Sequence, residues 1–170
     1  TWHAHGPDNV GGRTRAILID KDDFTHIYAG SVSGGLFESI DRANYWTPVE
    51  EFSENLAVSS MCQTVDGTIY VATGHSSEGV FGGENSGANG DGIFKMNSDG
   101  TFTQITGTGS YSFINEIVCD TLNNKVWIAC SNGLIQYDPV AGSLTQTING
   151  GAGVGSQCTA LDISPDGQVI

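Results

Sequence analysis

Positive charge is scarce in this sequence. Only 6 Lys and Arg face 19 Asp and Glu among 170 residues, which gives a formal net charge of -13 and a pI near 4.3. Affinity for nucleic acids and for anionic membrane surfaces comes from Lys and Arg side chains that neutralise phosphate. The composition therefore argues against a nucleic-acid partner.

Long apolar runs and helical periodicity are also lacking. No stretch approaches the ~18 apolar residues that a transmembrane helix needs, and none combines an apolar period of 3.6 with helix caps. We therefore expect no membrane insertion and little helix. The sequence begins at Thr1 and not at Met, and we expect it to be a piece of a longer chain.

Glycine is abundant, with 24 residues, about twice the usual ~7% share. The chain repeats one phrase three times: an apolar strand, a polar turn, a second strand, a Gly, a third strand and another turn. Tyr28, Tyr70, Trp127 and Ile170 occupy equivalent positions, and about fifteen additional residues separate the second from the third. Four short strands every ~40 to 45 residues are typical of a β-propeller blade.

The repeats predict an all-β fold that is part of a propeller. We expect three four-stranded blades, at about 13–50, 56–106 and 113–148, and an incomplete fourth at 157–170. The alternative is a β-sandwich with strands at shorter intervals, but a sandwich gives no reason to repeat Gly and aromatic residues in register. Tyr28, Tyr70 and Trp127 should then pack between blades.

The opening residues carry a family resemblance. Residues 6–16 (GPDNVGGRTRA), followed by 28–30 (YAG) and 34–37 (GGLF), resemble the first blade of bacterial sortilin-type propellers built of BNR, or Asp-box, repeats. Residues 39–46 (SIDRANYW) are similar to the Asp-box pattern S-x-D-x-G-x-x-W, with Ala43 in place of Gly. The resemblance implies structural roles in this turn for Ser39, Asp41 and Trp46. The third repeat resembles propeller repeats of bacterial sensor ectodomains.

An insertion at 75–91 lies between the second and third strands of its blade. In a meander this loop shares one end of the blade with the connections at 9–13, 107–112 and 149–157. Because functional groups are most often carried by loops on a rigid scaffold, we expect ligands at this end. The candidate residues are Asn9, Arg13, Arg15, His75, Glu78, Glu84, Asn89 and Asp91. Glu84, Asn85 and Asp91 could also supply oxygen ligands to Ca²⁺; the alternative is a solvated loop.

The four cysteines show no C-x-x-C spacing, so neither a zinc nor a redox motif is indicated. A two-residue hairpin at 123–124 would place Cys119 opposite Ile128, with Cys130 as its diagonal neighbour at roughly 7 to 8 Å, near the limit for a disulfide. Buried free thiols are favoured over a disulfide. The cysteines are Cys62, Cys119, Cys130 and Cys158, of which the first two hold equivalent positions in successive blades.

We predict a non-catalytic binding or scaffold module of an exported or cell-surface bacterial protein, extracellular or periplasmic, with a protein or glycan as its partner. Two alternatives stay open: a xyloglucanase-like glycoside hydrolase and the ectodomain of a signalling receptor. A sialidase-like site needs several arginines to bind a carboxylate, and the chain has only Arg13, Arg15 and Arg42. A xyloglucanase-like site needs two facing carboxylates, and no local motif shows such a pair.

Overall fold

The structure is a computed structural model that describes residues 13–53, 55–75, 87–149 and 158–164. These residues form three four-stranded antiparallel sheets and no helix. The prediction of an all-β chain with three four-stranded blades is confirmed. Among the described residues, no helix is long and apolar enough to cross a membrane.

Each sheet is a meander in which every strand pairs with the next one in sequence. Sheet 1 contains β1 (Thr14–Ile19), β2 (Ile27–Ser31), β3 (Gly35–Ser39) and β4 (Thr47–Pro48). Sheet 2 contains β5 (Val58–Gln63), β6 (Ile69–Thr73), β7 (Ile93–Met96) and β8 (Phe102–Gln104). Sheet 3 contains β9 (Ile114–Asp120), β10 (Lys125–Cys130), β11 (Gly133–Asp138) and β12 (Ser143–Asn149).

The apolar residues of these strands bury themselves between sheets. Tyr70 is 2% exposed and stacks edge-on against Tyr137 of sheet 3, with ring centroids 6.0 Å apart. Tyr28 is also buried, in a second cluster that joins sheets 1 and 2. Trp127 is partly buried in a third cluster on the far side of sheet 3. All three aromatic residues that recur at blade spacing therefore contribute to packing.

The register of sheet 3 differs from the sequence prediction. The turn between β9 and β10 has four residues, 121–124, and Cys119 lies opposite Val126, not Ile128. The cause is the Asp120 carboxylate, which accepts hydrogen bonds from the backbone N–H groups of residues 122 and 123 at 3.0 Å. This wider turn is closed by Asn124 at φ 51°, a left-handed conformation that Asn tolerates.

The segment 158–164 packs against the face of sheet 3 that points away from sheet 2. Leu161 is buried against Ala129 and Leu134, and the Cys158 N–H donates to the Cys130 carbonyl at 3.2 Å. This is the region in which the sequence predicts a fourth blade. The second strand of that blade, of which the sequence predicts the beginning at Val169 and Ile170, falls outside the described residues.

Candidate functional site

The meander sorts the connections to two ends of the sheets. The six hairpin turns that follow odd-numbered strands lie at one end, which we call the acidic-turn end: 20–26, 40–46, 64–68, 97–101, 121–124 and 139–142. The other end, which we call the loop end, gathers the remaining connections. Its described parts are 32–34, 49–57, 74–75, 87–92, 105–113 and 131–132, with gaps where the chain is not described.

Aspartates organise the acidic-turn end. In each turn a carboxylate accepts hydrogen bonds from the backbone N–H groups or hydroxyls of neighbouring residues, and the pKa of each of these carboxyls is lowered. At Asp20 and Asp120 burial is the largest single influence and raises the pKa, but the turn hydrogen bonds together outweigh it. The aspartates concerned are Asp20, Asp23, Asp41, Asp66, Asp99, Asp120 and Asp138. The negative charges of these aspartates are therefore used in hydrogen bonds that stabilise the turns.

The turn at 39–46 shows how this works. Asp41 accepts from the Tyr45 N–H at 2.9 Å and from the Ser39 hydroxyl at 2.8 Å, and these bonds hold its pKa below the ordinary range. Ser39 in turn accepts from the Ala43 N–H at 2.9 Å. Ala43 has φ 64°, and Trp46 is 5% exposed. Within this turn Ser39, Asp41 and Trp46 make structural contacts.

A groove of about 700 Å³ lies where the first strands of the three sheets come together. It is lined by residues 15–18 of β1, 59–63 of β5 and 115–119 of β9, and by 159–160. β5 contacts both β1 and β9. The first strand of every sheet therefore contributes one wall of the groove, and Glu116 is the one carboxylate among the described lining residues.

A disulfide and a hydroxyl fix two walls of the groove to each other. Cys62 and Cys119 are bonded, with their Cα atoms 5.6 Å apart, and the Ile117 N–H donates to the Ser60 hydroxyl oxygen at 3.1 Å. The expectation of free thiols is wrong for this pair, because β5 and β9 are neighbours across two sheets. It agrees with the structure for Cys130 and Cys158, which are free.

Arg15 connects the groove to the start of the insertion. One terminal nitrogen of its guanidinium lies 3.4 Å from His75 Nε2, and the other donates to the Asn115 carbonyl at 3.4 Å. Burial lowers the pKa of Arg15, the Arg13 charge lowers it further, and Glu116 opposes the shift. Burial, followed by the charges of Arg15 and Arg13, also lowers the pKa of His75. The structure thus gathers three predicted ligand residues, with His75 neutral at neutral pH.

Two polar side chains of β9 that line the groove, Asn115 and Glu116, form hydrogen bonds with the segment 158–164. Asn115 donates from its amide to the Cys158 carbonyl at 3.0 Å, and Glu116 accepts from the Leu161 N–H at 2.9 Å. Both residues went unnoticed in the sequence. The alternation of apolar residues in β9 contains nothing that distinguishes Asn115 and Glu116 from other polar positions of a strand.

Asn89 and Asp91 lie apart from the Arg15 cluster, at the end of the insertion. The Asn55 amide donates to the Asn89 carbonyl at 3.1 Å and to the Asp91 carboxylate at 2.9 Å, and the Gln104 amide donates to the Asp91 carbonyl at 2.6 Å. Asn9, Glu78, Glu84 and Asn85 lie outside the described residues, so calcium binding stays a prediction. Within the described residues, no group of three or more His, Cys, Asp or Glu could hold a metal ion.

The chain matches no protein-family profile and no curated protein. It is similar to solved structures over most of its length. The extracellular domain of a one-component system, BT4673, from B. thetaiotaomicron shares 22% identity at a TM-score of 0.66, over 92% of this chain and 19% of that one. An auxiliary nutrient binding protein from Bacteroides thetaiotaomicron shares 13% at a TM-score of 0.68, over 97% and 38%.

An ancestral GH74 enzyme shares 19% identity at a TM-score of 0.68, over 92% of this chain and 21% of that enzyme. These neighbours are β-propeller proteins. The fold is accordingly that of part of a β-propeller, and the chain spans well under half the length of each of these three structures.

Proposed function

We propose that this chain is a non-catalytic binding module of an exported or cell-surface bacterial protein and that it holds a protein or glycan at the loop end of its groove. The single observation that carries the proposal is the groove of about 700 Å³. Its walls are fastened by a disulfide and by the Ser60 hydrogen bond. A pre-formed concave site with polar groups is the usual form of a ligand site.

The surroundings of the module are proposed from its structural likenesses. The similarity to an extracellular domain and to a nutrient binding protein supports an extracellular or surface location. The small share of each of these chains that is covered supports a module within a longer chain, in which further blades would complete the ring. A closed propeller has four to eight blades.

The groove itself can be tested by filling it. Thr159 is exposed and lines the groove, whereas Thr147 is exposed on β12, the outer strand of sheet 3. We expect Thr159→Trp to abolish binding and Thr147→Trp to leave it unchanged, because only the first indole occupies the groove. Isothermal titration against xyloglucan, a β-glucan, polygalacturonate and a neutral galactan measures both variants, with circular dichroism as the check on folding.

Absence of binding to every glycan of this panel would overturn a glycan ligand, and equal binding by the Thr159→Trp variant would overturn the groove as the site. Release of reducing ends from xyloglucan would instead support a hydrolase. That second candidate draws on the likeness to GH74 enzymes. It needs a second carboxylate beside Glu116, which the described lining does not contain.

A receptor ectodomain is the third candidate, and the likeness to the BT4673 extracellular domain supports it. It shares the binding site with the first proposal and differs in what the ligand controls. The full reading frame discriminates between them: a transmembrane helix followed by a signalling domain supports the receptor, and further blades followed by a sorting tail contradict it.

A further inference from the structure

The positive charges of the chain are distributed unevenly between its two ends. At the acidic-turn end Lys21 pairs with Asp22 at 2.6 Å, and Lys125 pairs with Asp138. Arg13 and Arg15 lie at the opposite end, where β1 begins, and Arg15 lines the groove. Neither forms a salt bridge with a described carboxylate within 4.0 Å. Arg42 and Lys95 form no salt bridge with a described carboxylate either, but they belong to different sheets. Arg13 and Arg15 are close enough for the charge of one to lower the pKa of the other, so in a chain of net charge -13 they concentrate positive charge at one place.

Arg15 has unused hydrogen-bonding capacity. A guanidinium carries five N–H donors, and the two described contacts of Arg15 are both 3.4 Å long, beyond the usual 2.7 to 3.2 Å. Its side chain is exposed and lines the groove. A planar acceptor that enters the groove could therefore take two parallel hydrogen bonds from this fork, as carboxylates do.

His75 lies in the same positive field. Its Nε2 faces the Arg15 guanidinium, a donor, so this nitrogen is the acceptor and Nδ1 carries the hydrogen of the neutral ring. The charges of Arg15 and Arg13 both disfavour protonation of the ring. A negative group placed beside both residues would offset that repulsion. Arg15 would then donate to the group, and Nε2 of His75, released from the guanidinium, would take up a proton as the group binds.

We propose that Arg13, Arg15 and His75 form a carboxylate-binding site at the loop end of the groove, and that its ligand is a glycan containing uronic acid. This inference rests on the proposed function and names its ligand class. A sugar suits the adjoining lining, where the hydroxyl of the exposed Thr159 faces the groove. Among the described residues of the loop end, Leu56 is the one large apolar side chain that is exposed. Ile17, farther along β1, is also exposed and lines the groove, and it offers an apolar surface beside which the face of a sugar ring can lie.

Glu116 sets the orientation of such a ligand. Its carboxylate also lines the groove and accepts the Leu161 N–H at 2.9 Å. Because like charges repel, the uronate carboxylate belongs on the Arg15 side and a neutral part of the sugar beside Glu116. The site would then prefer a glycan in which neutral sugar units follow the acidic group at a fixed distance over a ligand that is merely negatively charged.

The test compares trigalacturonate with a neutral galactose trisaccharide by isothermal titration. We expect the wild-type chain to bind the acidic sugar at least about tenfold more tightly, which corresponds to about 1.4 kcal/mol. Arg15→Gln should remove this preference, and Arg15→Lys should remove most of it, because Lys keeps the charge but not the fork. Arg42→Gln is the matched control, since it makes the same charge change at the acidic-turn end.

His75 provides a second readout. Binding of trigalacturonate should strengthen as the pH falls from about 8 to about 6, because protonated His75 adds a positive charge. His75→Gln should flatten that dependence while Arg13 and Arg15 retain the preference for the acidic sugar. A pH dependence that survives in His75→Gln would overturn the role of this histidine.

The outcomes separate this inference from the proposed function. Equal affinity for the two trisaccharides overturns the carboxylate site and leaves the binding module standing. Loss of binding in Arg42→Gln as large as in Arg15→Gln also overturns the site, because only the net charge then matters. If a capped tri-aspartate peptide binds in an Arg15-dependent manner and the sugar does not, the glycan assignment is overturned. Failure of every glycan of the wider panel overturns this inference and any glycan ligand, and leaves the proposed binding module with a protein ligand.

Discussion

Removing the disulfide between sheets 2 and 3 should produce the largest loss of stability of any change considered for this chain. Cys62 and Cys119 are separated by 57 residues, and closing a loop of that length in the unfolded chain corresponds to about 4 kcal/mol by the chain-entropy relation. We therefore expect a Cys62→Ala, Cys119→Ala double variant to lose about 4 kcal/mol of unfolding free energy, a large share of the 5 to 15 kcal/mol that is typical of a domain.

The assay is urea unfolding followed by tryptophan fluorescence. In a Trp2→Phe background the two remaining tryptophans report on different sheets, Trp46 on sheet 1 and Trp127 on sheet 3, so unfolding in two separate transitions would show that the sheets no longer unfold together. Reduction of the wild-type chain with dithiothreitol should reproduce the effect without deleting a side chain. Cys158→Ala is the control, because Cys158 is free and half-buried. A loss below about 1 kcal/mol on both reduction and substitution would refute the entropic reasoning.

Three further predictions concern single positions and pH. Gly30→Ala should cost about 1 to 3 kcal/mol in urea unfolding, since its Cβ would lie 2.3 Å from Val58 Cγ1; Gly109→Ala, which meets only the flexible Gln104 side chain, should cost much less. Ala43→Gly should stabilise the chain by about 1 kcal/mol, because φ is 64° there; an unchanged or lower melting temperature would contradict this. Thermal melts should be flat from about pH 7 to about pH 5 and fall below about pH 4. The turn aspartates have lower pKa values in the folded state than in the unfolded state. The stability that they contribute is therefore fully present above the unfolded-state pKa and is lost as the pH falls through the folded-state pKa. A melting temperature that stays constant down to about pH 3 would contradict this prediction.

The repeat pattern was sufficient to predict the sheets because its signals are local. Alternating apolar residues and Asp-Gly turns decide where a strand begins and ends, and three four-stranded sheets follow from them. The register of β9 and β10 was wrong because it depends on how Asp120 uses its carboxylate. A side chain that caps a turn can add two residues to it without leaving any trace in the hydrophobic pattern.

Contacts between sheets were harder to predict than contacts within them. Arg15 and His75 are 60 residues apart in sequence, and they meet because the start of β1 and the end of β6 reach the same end of the molecule. The topology placed both residues at the loop end but did not pair them. For Cys62 and Cys119 the signal was present: equivalent positions on adjacent first strands are neighbours whenever successive sheets pack side by side.

Hydrogen bonds fasten both ends of the insertion at 75–91, and this affects which changes of sequence the chain can accept. The His75 N–H donates to the Ala88 carbonyl at 2.9 Å, and Asp91 is held by Thr73 and Asn55. Because both ends are fastened by described residues, the segment between them can be lengthened or exchanged at a cost that grows only with loop entropy, about 0.6 kcal/mol for each doubling. The chain thus provides a position at which new recognition sequences can be grafted beside the groove while β6 and β7 keep their pairing.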